Sequence, residues 1–315
     1  MSIWLIGSGL MAQDYMKALK ALEAPTTVVG RGAASAKAFE EATGVPVVQG
    51  GLDAYIASGA QLPDAAVVSV SVEQLAPTAK ALLRAGVRKI LLEKPGGVDS
   101  AEVREVAALA ASLRATVVLG YNRRFYAPVL AARKMIDEDG GPTSFMFEFT
   151  EWSHVISTLK KPAEVMANWF LANSSHVVDT AFFLGGAPEK IACFTSGSLD
   201  WHPDCAVFAG AGLARGGAPF SYHANWAAPG RWGVEVLTAK RRYIFRPMEQ
   251  LHVQEIGSVA VNRVELDDTL DAEFKPGLYL EVRNFLEGRL EDFCTIEEQA
   301  RRMNVYDTMC GRAAN

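Results

Sequence analysis

Apolar residues gather in short unbroken runs through the first 120 residues and alternate with polar ones afterwards. The runs Ile3–Ile6, Thr26–Val29, Ala65–Val72, Lys89–Leu92 and Thr116–Leu119 are rich in Val, Ile and Leu. They lack a polar face, as strands of a parallel sheet covered on both sides do. Between them apolar positions recur at helical spacing over 11–22, 33–43, 76–85 and 100–113, as in Tyr15, Met16, Leu19 and Leu22, and Asp99 or Ser100 offers a cap for one helix start. Strand and helix alternating in this way predict an α/β fold with a doubly wound parallel sheet. After about residue 122 the period changes to two. Phe145, Phe147 and Phe149 alternate along one segment, Trp232, Val234 and Val236 along another, and Arg242–Phe245 and Leu251–Ile256 follow. Gly140-Gly141-Pro142, Gly185-Gly186 and Gly216-Gly217 mark turns, and 295–309 reads as a helix. This pattern predicts an α+β second domain built on a large open, mostly antiparallel sheet. At about 150 residues per domain, a chain of 315 residues carries two cores, here 1–121 and 122–315.

The first apolar run breaks into Gly7-Ser8-Gly9-Leu10-Met11-Ala12. In a dinucleotide-binding turn the first glycine permits a tight bend, the second admits a pyrophosphate to the backbone, and a small third residue lets the helix pack on the strand. The helix start then offers unpaired amides and partial positive charge to phosphates. Gly7, Gly9, Leu10, Met11 and Ala12 are therefore candidate cofactor contacts.

Composition narrows the partner. Half of the residues are apolar, enough for a sizeable interior, and the net charge is −5 with both signs interspersed. No basic footprint for nucleic acid or an anionic membrane follows, so a small-molecule partner is expected. Cys193, Cys205, Cys294 and Cys310 are scattered without a CxxC pair, which argues against a zinc ribbon or disulfide framework and for a cytoplasmic compartment. His202-Pro203-Asp204-Cys205 has metal-ligand types but no second cluster, so no metal site is expected. The N-terminus lacks a basic region and cleavage site, and no stretch approaches the ~18 apolar residues of a membrane span.

Cofactor choice turns on the end of the second strand, where an NAD enzyme commonly places a carboxylate for the ribose and an NADP enzyme an arginine or small polar residues. The chain reads Val29-Gly30-Arg31-Gly32, followed by Ser35 and Lys37. Arg31 is thus positioned to stack on adenine and pair with a 2′-phosphate, and NADP is favoured over NAD. At the end of the strand Lys89–Leu92 comes Glu93-Lys94-Pro95, on the sheet edge where open α/β folds bind ligands. The proline biases Lys94 towards an extended backbone, aiming its side chain.

With Gly120-Tyr121-Asn122-Arg123-Arg124-Phe125, and with Ser175-His176-Val177-Val178-Asp179 leading into Phe182-Phe183-Leu184-Gly185-Gly186, the chain resembles the glucose-fructose oxidoreductase/inositol dehydrogenase/MocA family over essentially its whole length. The resemblance implies a Rossmann domain followed by an open-sheet domain, and NAD(P)-dependent oxidation or reduction of sugars, inositols and related polyols. It places Lys94 and His176 beside the reacting carbon. A homodimer or homotetramer through the C-terminal sheet is also implied by resemblance.

The chemistry of these side chains suits those roles. Hydride transfer at a carbinol carbon needs a group that exchanges the hydroxyl proton, and a histidine with an ordinary pKa near 6.5 does this around neutrality. Lys94 would hydrogen-bond the same oxygen and stabilise its developing charge, or carry the proton itself. Asp179, three residues after His176 on one helical face, is expected to orient the ring or contact substrate. On position alone, His176 serves equally as a cap of a helix beginning near Ser174 or Ser175. Tyr121, Asn122, Arg124, Trp169 and Asn173 are candidate substrate contacts, Arg231 and Trp232 add a possible charge for a carboxylate or phosphate, and Ser71 and Glu93 are candidate cofactor contacts. Two departures stand out: Ala172 occupies the position four before His176 where many members carry aspartate, and Ser71-Val72-Glu73-Gln74-Leu75 replaces an Asn-x-x-His-like stretch. Two other classes remain: a dinucleotide-binding regulator without catalysis, and an NAD-dependent glycoside hydrolase acting by transient oxidation.

Overall fold

A computed structural model describes residues 1–312 of the chain. In order its first elements are β1 (Ile3–Ile6), α1 (Leu10–Ala21), β2 (Thr26–Val29), α2 (Ala33–Thr43), β3 (Val47–Val48), α3 (Leu52–Ala57), β4 (Ala65–Val68), α4 (Val72–Ala85), β5 (Lys89–Glu93), α5 (Ser100–Ser112) and β6 (Thr116–Gly120). There follow α6 (Ala127–Glu138), β7 (Ser144–Phe149), α7 (Ser153–Ile156), α8 (Ala163–Ala167), α9 (Ser175–Gly185), β8 (Pro188–Ser196), β9 (Val207–Ala214), β10 (Pro219–Asn225), β11 (Trp232–Leu237), β12 (Arg241–Phe245), β13 (His252–Glu255) and β14 (Asn262–Arg263). The last are α10 (Thr269–Glu273), α11 (Leu278–Glu287), β15 (Cys294–Thr295) and α12 (Ile296–Met309).

One compact unit comprises Met1–Asn122 and Thr269–Arg302. Its sheet has the order β15-β6-β5-β4-β1-β2-β3, with β1 to β6 parallel. Every residue of β1 and β4 is buried, which is why these strands show no polar face in the sequence. Strand order reverses at β1, which lies between β4 and β2, so ligand chemistry is expected at the carboxyl ends around β1. Asp99 caps α5 by accepting a bond from the Glu102 amide at 2.9 Å.

Two expectations change here. The apolar run Ala65–Val72 is not one strand: β4 ends at Val68, the Ser69 amide makes its last sheet bond to the Ile6 carbonyl at 2.8 Å, and α4 begins at Val72. An apolar run cannot reveal a turn within itself. Secondly, Thr269–Arg302, which periodicity leaves in the second domain, belongs to the first unit. There α11 packs on α1 with Leu278, Glu281, Val282 and Phe285 buried, and β15 adds an antiparallel edge pairing Cys294 with Leu119.

The other unit comprises Arg123–Asp268 and, among the described residues, Met303–Arg312. Its sheet runs β14-β13-β12-β11-β7-β10-β9-β8 and is antiparallel except where β10 lies parallel to β7. Helix α9 covers one face along β7 and β11. Phe182 meets Phe145 and Phe147 edge to face at 6.1 and 5.6 Å, and each buried Phe contributes roughly 1.5–3 kcal/mol. A Cβ on Gly185 would come within 2.5 Å of the Phe145 ring, so glycine allows the helix to sit this close. The opposite face leaves Met146 and Phe194 exposed.

Candidate active site

The chain leaves β1 through Gly7, whose amide donates to the Val29 carbonyl at 2.9 Å. Its φ is +117°, and a Cβ there would lie 2.8 Å from the Ser69 carbonyl carbon and nearer still to the oxygen. Glycine is required by both conformation and space. Gly9 caps α1 with φ −85°; no side chain takes up the first amides and no acidic residue stands in the first turn. A Cβ on Gly9 would meet nothing within 4 Å. Ala12 is fully buried, as the packing role of the third position demands, whereas Leu10 is 81% exposed. The Ser69 hydroxyl, at the carboxyl end of the neighbouring strand β4, is buried without a hydrogen-bond partner. An open glycine cradle, unclaimed helix-start amides and an orphaned hydroxyl together fit a phosphate-bearing dinucleotide.

Arg31 is exposed in the loop after β2, with Nη1 3.3 Å from Gln74 Oε1. Gly30 is held close to Val47, 2.8 Å from where its Cβ would stand. The Ser8 hydroxyl donates to Ser35 at 3.1 Å. No carboxylate occurs in 30–37. Ser71 sits at the start of α4 and donates to the Glu73 carboxylate, a local bond at the surface.

Lys94 directly follows β5, half-buried at the same edge of the sheet, and its peptide bond to Pro95 is cis. Behind it Glu93 is buried and accepts a 2.8 Å bond from the Tyr15 hydroxyl, which also lies 3.3 Å from Glu281 Oε2. Burial pushes the Glu93 carboxyl up, partly offset by the Lys94 charge and the Tyr15 bond. Burial, and then the charge of Glu93, pushes Glu281 well above the ordinary carboxyl range. Glu93 thus belongs to an internal carboxyl–phenol cluster. Tyr121 and Asn122 also brace this region. The Gln299 side-chain amide donates to the Tyr121 hydroxyl at 2.9 Å and to the Pro95 carbonyl at 3.2 Å, and the Asn122 amide donates to the Pro276 carbonyl at 2.9 Å. Both are buried.

In the second unit a π-helical turn, Phe170–Ser174, runs straight into α9. No cap forms at Ser174 or Ser175. Ser175 donates instead to the Leu171 carbonyl at 2.7 Å, and Ser174 donates to Glu151 at 2.7 Å. His176 stands half-buried in the first turn of α9, its ring 6.3 Å from that of Trp232. Asp179 and Arg124 form a bidentate buried pair at 2.6 and 2.7 Å. The pair ties α9 to the turn Asn122–Phe125. Trp169 is buried edge to face against Trp201 at 6.1 Å. Asn173 donates to both Glu151 oxygens, at 2.9 and 3.1 Å.

Glu151 is the residue that sequence reasoning missed. Where Ala172 leaves out a carboxylate, Glu151 brings a buried one to the turn before His176 from the end of β7. Nothing at position 151 signals this, because the contact is long-range. Nearby, the Arg231 guanidinium lies 4.4 Å from the Trp152 ring centre and 5.0 Å from that of Trp232, and Arg123 lies 5.0 Å from Trp232. His202 Nδ1 meets the Cys205 carbonyl oxygen at 2.8 Å and packs on Trp226, and burial pushes the Cys205 thiol up to about 11. No group of three or more His, Cys, Asp or Glu able to hold a metal occurs among the described residues, and no helix there is long and apolar enough to cross a membrane.

Residues 1–121 match the model of the GFO/IDH/MocA oxidoreductase family, NAD-binding Rossmann fold. No curated protein matches the sequence. Among solved structures, an oxidoreductase from Agrobacterium radiobacter in complex with NAD+, L-tartaric acid and magnesium is 15% identical, with a TM-score of 0.81 over 100% of this chain and 96% of that one. A levoglucosan dehydrogenase in complex with NADH and L-sorbose is 17% identical, with a TM-score of 0.80 over 99% and 96%. A UDP-N-acetylglucosamine 3-dehydrogenase from Acidithiobacillus ferrooxidans is 16% identical, with a TM-score of 0.75 over 99% and 97%. At these identities the likeness is one of fold, and it extends along the whole chain.

Proposed function

We propose that this chain, whose first 121 residues belong to the NAD-binding GFO/IDH/MocA oxidoreductase family, moves a hydride between a nicotinamide nucleotide and a secondary alcohol or ketone carbon of a sugar, nucleotide sugar or inositol. One observation carries the reading: a phosphate-fitting cradle at Gly7 and Gly9 and a half-buried lysine at Lys94 share one carboxyl edge, after β1 and after β5 two strands away. That separation is about 10 Å; the residues at the cradle would hold the phosphates of a dinucleotide. When bound, the nicotinamide ring supplies or accepts the hydride. The side chains hold the substrate oxygen and exchange its proton. We assign His176 as the acid/base that takes the hydroxyl proton during oxidation, and Lys94 as the donor that stabilises the oxygen as charge develops on it. The solved dehydrogenases of the same fold that act on sugar-type substrates support this substrate class.

Arg31, with no carboxylate beside it, supports a preference for NADP over NAD. The exposed sheet face carrying Met146 and Phe194 supports a homodimer or homotetramer. Cysteines free of disulfides at Cys193, Cys205, Cys294 and Cys310 support a reducing, cytoplasmic setting. The test is a Lys94→Ala variant assayed by absorbance of reduced cofactor across candidate sugars and polyols. Turnover is abolished while NADP binding stays nearly intact. Unchanged turnover would remove Lys94 from the site, and hydrolysis without net change in reduced cofactor would replace the oxidoreductase reading with a glycoside hydrolase.

A further inference from the structure

Arg231, in the second unit, has surroundings that the fold does not explain. Other arginines of this unit have carboxylate partners, among them Arg123 with Glu249 at 3.1 Å, Arg124 with Asp179 at 2.6 Å and Arg246 with Glu148 at 2.9 Å. Arg231 is exposed and forms no ion pair among the described residues; its guanidinium rests instead against Trp152 and Trp232. Gly230, just before it, stands where a Cβ would lie 2.7 Å from Thr150 Cγ2, so the loop is pressed onto the end of β7 and the arginine is fixed at its base. A guanidinium stacked on an aromatic face keeps its N–H edge available, and that planar edge matches a carboxylate or phosphate in two parallel bonds.

The rings themselves point to a ligand. Trp152 is 49% exposed although its Nε1 is anchored on the Gly230 carbonyl at 3.2 Å. Folding gains little from leaving an indole half in water and fixing it there. Trp232 is the opposite case: it is buried, yet its Nε1 has no hydrogen-bond partner. Its ring neighbours the His176 imidazole at 6.3 Å. One indole therefore connects the proposed acid/base with the uncommitted cation.

We propose that Arg231, held by Trp152 and Trp232, is the anion-recognising residue of a substrate subsite beside His176, so that the substrate is a sugar or polyol bearing a carboxylate or phosphate. The inference rests on the reading that His176 faces the reacting hydroxyl. Trp152 and Trp232 supply the flat faces on which a sugar ring packs, and Arg231 selects the charged end.

The experiment compares wild type with Arg231→Met and Arg231→Lys on D-glucose, myo-inositol, D-gluconate, D-glucuronate and a glucose monophosphate, following reduced cofactor. Wild type favours the anionic compounds by at least ~10-fold in kcat/KM. Arg231→Met raises their KM by ~10- to 100-fold, the loss expected for charge-assisted bonds, while kcat stays within about 3-fold and the KM of the neutral compounds changes far less than that of the anionic ones. Arg231→Lys recovers part of the loss because charge survives and the fork does not. Preference for the acids alone assigns a carboxylate, and for the phosphate alone a phosphate. Wild-type preference for the neutral compounds, or an unchanged KM in Arg231→Met, overturns the subsite while leaving hydride transfer in place. If nothing turns over, tryptophan fluorescence titrated with gluconate, glucuronate and the glucose monophosphate decides. Saturable quenching lost in Arg231→Met keeps the subsite and removes these compounds as substrates. Absence of quenching removes the subsite as well.

Discussion

Replacing Gly9 with alanine separates the ligand role of the cradle from its structural role. At Gly9 the backbone has φ −85° and ψ −176°, accessible to alanine, and an added Cβ meets nothing within 4 Å. Losing glycine freedom in the unfolded chain stabilises by about 0.4–1 kcal/mol, and alanine is a poorer helix cap than glycine by a comparable amount. The two nearly cancel, so Gly9→Ala shifts Tm by no more than about 2 °C. The methyl, however, occupies the space through which a pyrophosphate reaches the helix-start amides. Loss of one charge-assisted bond there costs about 1.5–3 kcal/mol, which is roughly 10- to 150-fold in Kd. Gly7→Ala differs in both readouts. Its φ of +117° and its overlap with the Ser69 carbonyl group force the end of β4 to move, at a cost of about 3 kcal/mol or more. Thermal unfolding followed by circular dichroism, paired with calorimetric titration of NADP and NAD, measures both quantities. Undiminished nucleotide binding by a well-folded Gly9→Ala would refute the cradle, and unfolding of Gly9→Ala to the extent of Gly7→Ala would refute the packing argument.

Asp179→Asn breaks the buried pair with Arg124 and lowers unfolding free energy in urea by about 3–5 kcal/mol; a change below about 1 kcal/mol would contradict its anchoring role. Glu281 has a folded-state pKa raised by burial and by Glu93, so its contribution is complete below the unfolded carboxyl pKa near 4.5 and is lost as pH rises through the folded value. Glu281→Gln therefore gains stability relative to wild type with rising pH above about 4.5, and a difference in Tm that stays flat with pH would contradict it. Arg31→Ala weakens NADP binding by ~10-fold or more while NAD binding changes little, as loss of a charge-assisted phosphate contact requires; equal effects on the two nucleotides would remove Arg31 from the 2′-phosphate.

The sequence made the parallel sheet legible because burial on both faces leaves long apolar runs, as in Ile3–Ile6 and Ala65–Val68, and because the intervening helices keep a 3.6 period. Short or half-exposed pieces escape such reading. Val47–Val48 is too brief to carry a period, Phe194 points an apolar side chain outward from β8, and Cys294–Thr295 joins the first sheet only through a tertiary pairing. The candidates Gly7, Gly9 and Lys94 stand out in the sequence because their placement is local, at a turn and at strand ends. The surroundings of the candidate side chains are not local. Tyr121, Asn122 and Arg124 have the residue types of sugar ligands, but Gln299, Pro276 and Asp179, all distant in sequence, bury and satisfy them. Glu151 and Glu281 escaped for the converse reason, since their importance lies wholly in partners that the sequence does not place beside them.

The central claim is hydride transfer from the nicotinamide to a substrate carbon, and isotope transfer tests it most directly. With deuterium on the transferable position of reduced NADP and the ketone form of the substrate identified by the panel, mass spectrometry of the product should find one deuterium on the carbinol carbon for each cofactor oxidised, and none when Lys94→Ala replaces wild type. Product without deuterium, or deuterium transfer undiminished in Lys94→Ala, would contradict the account.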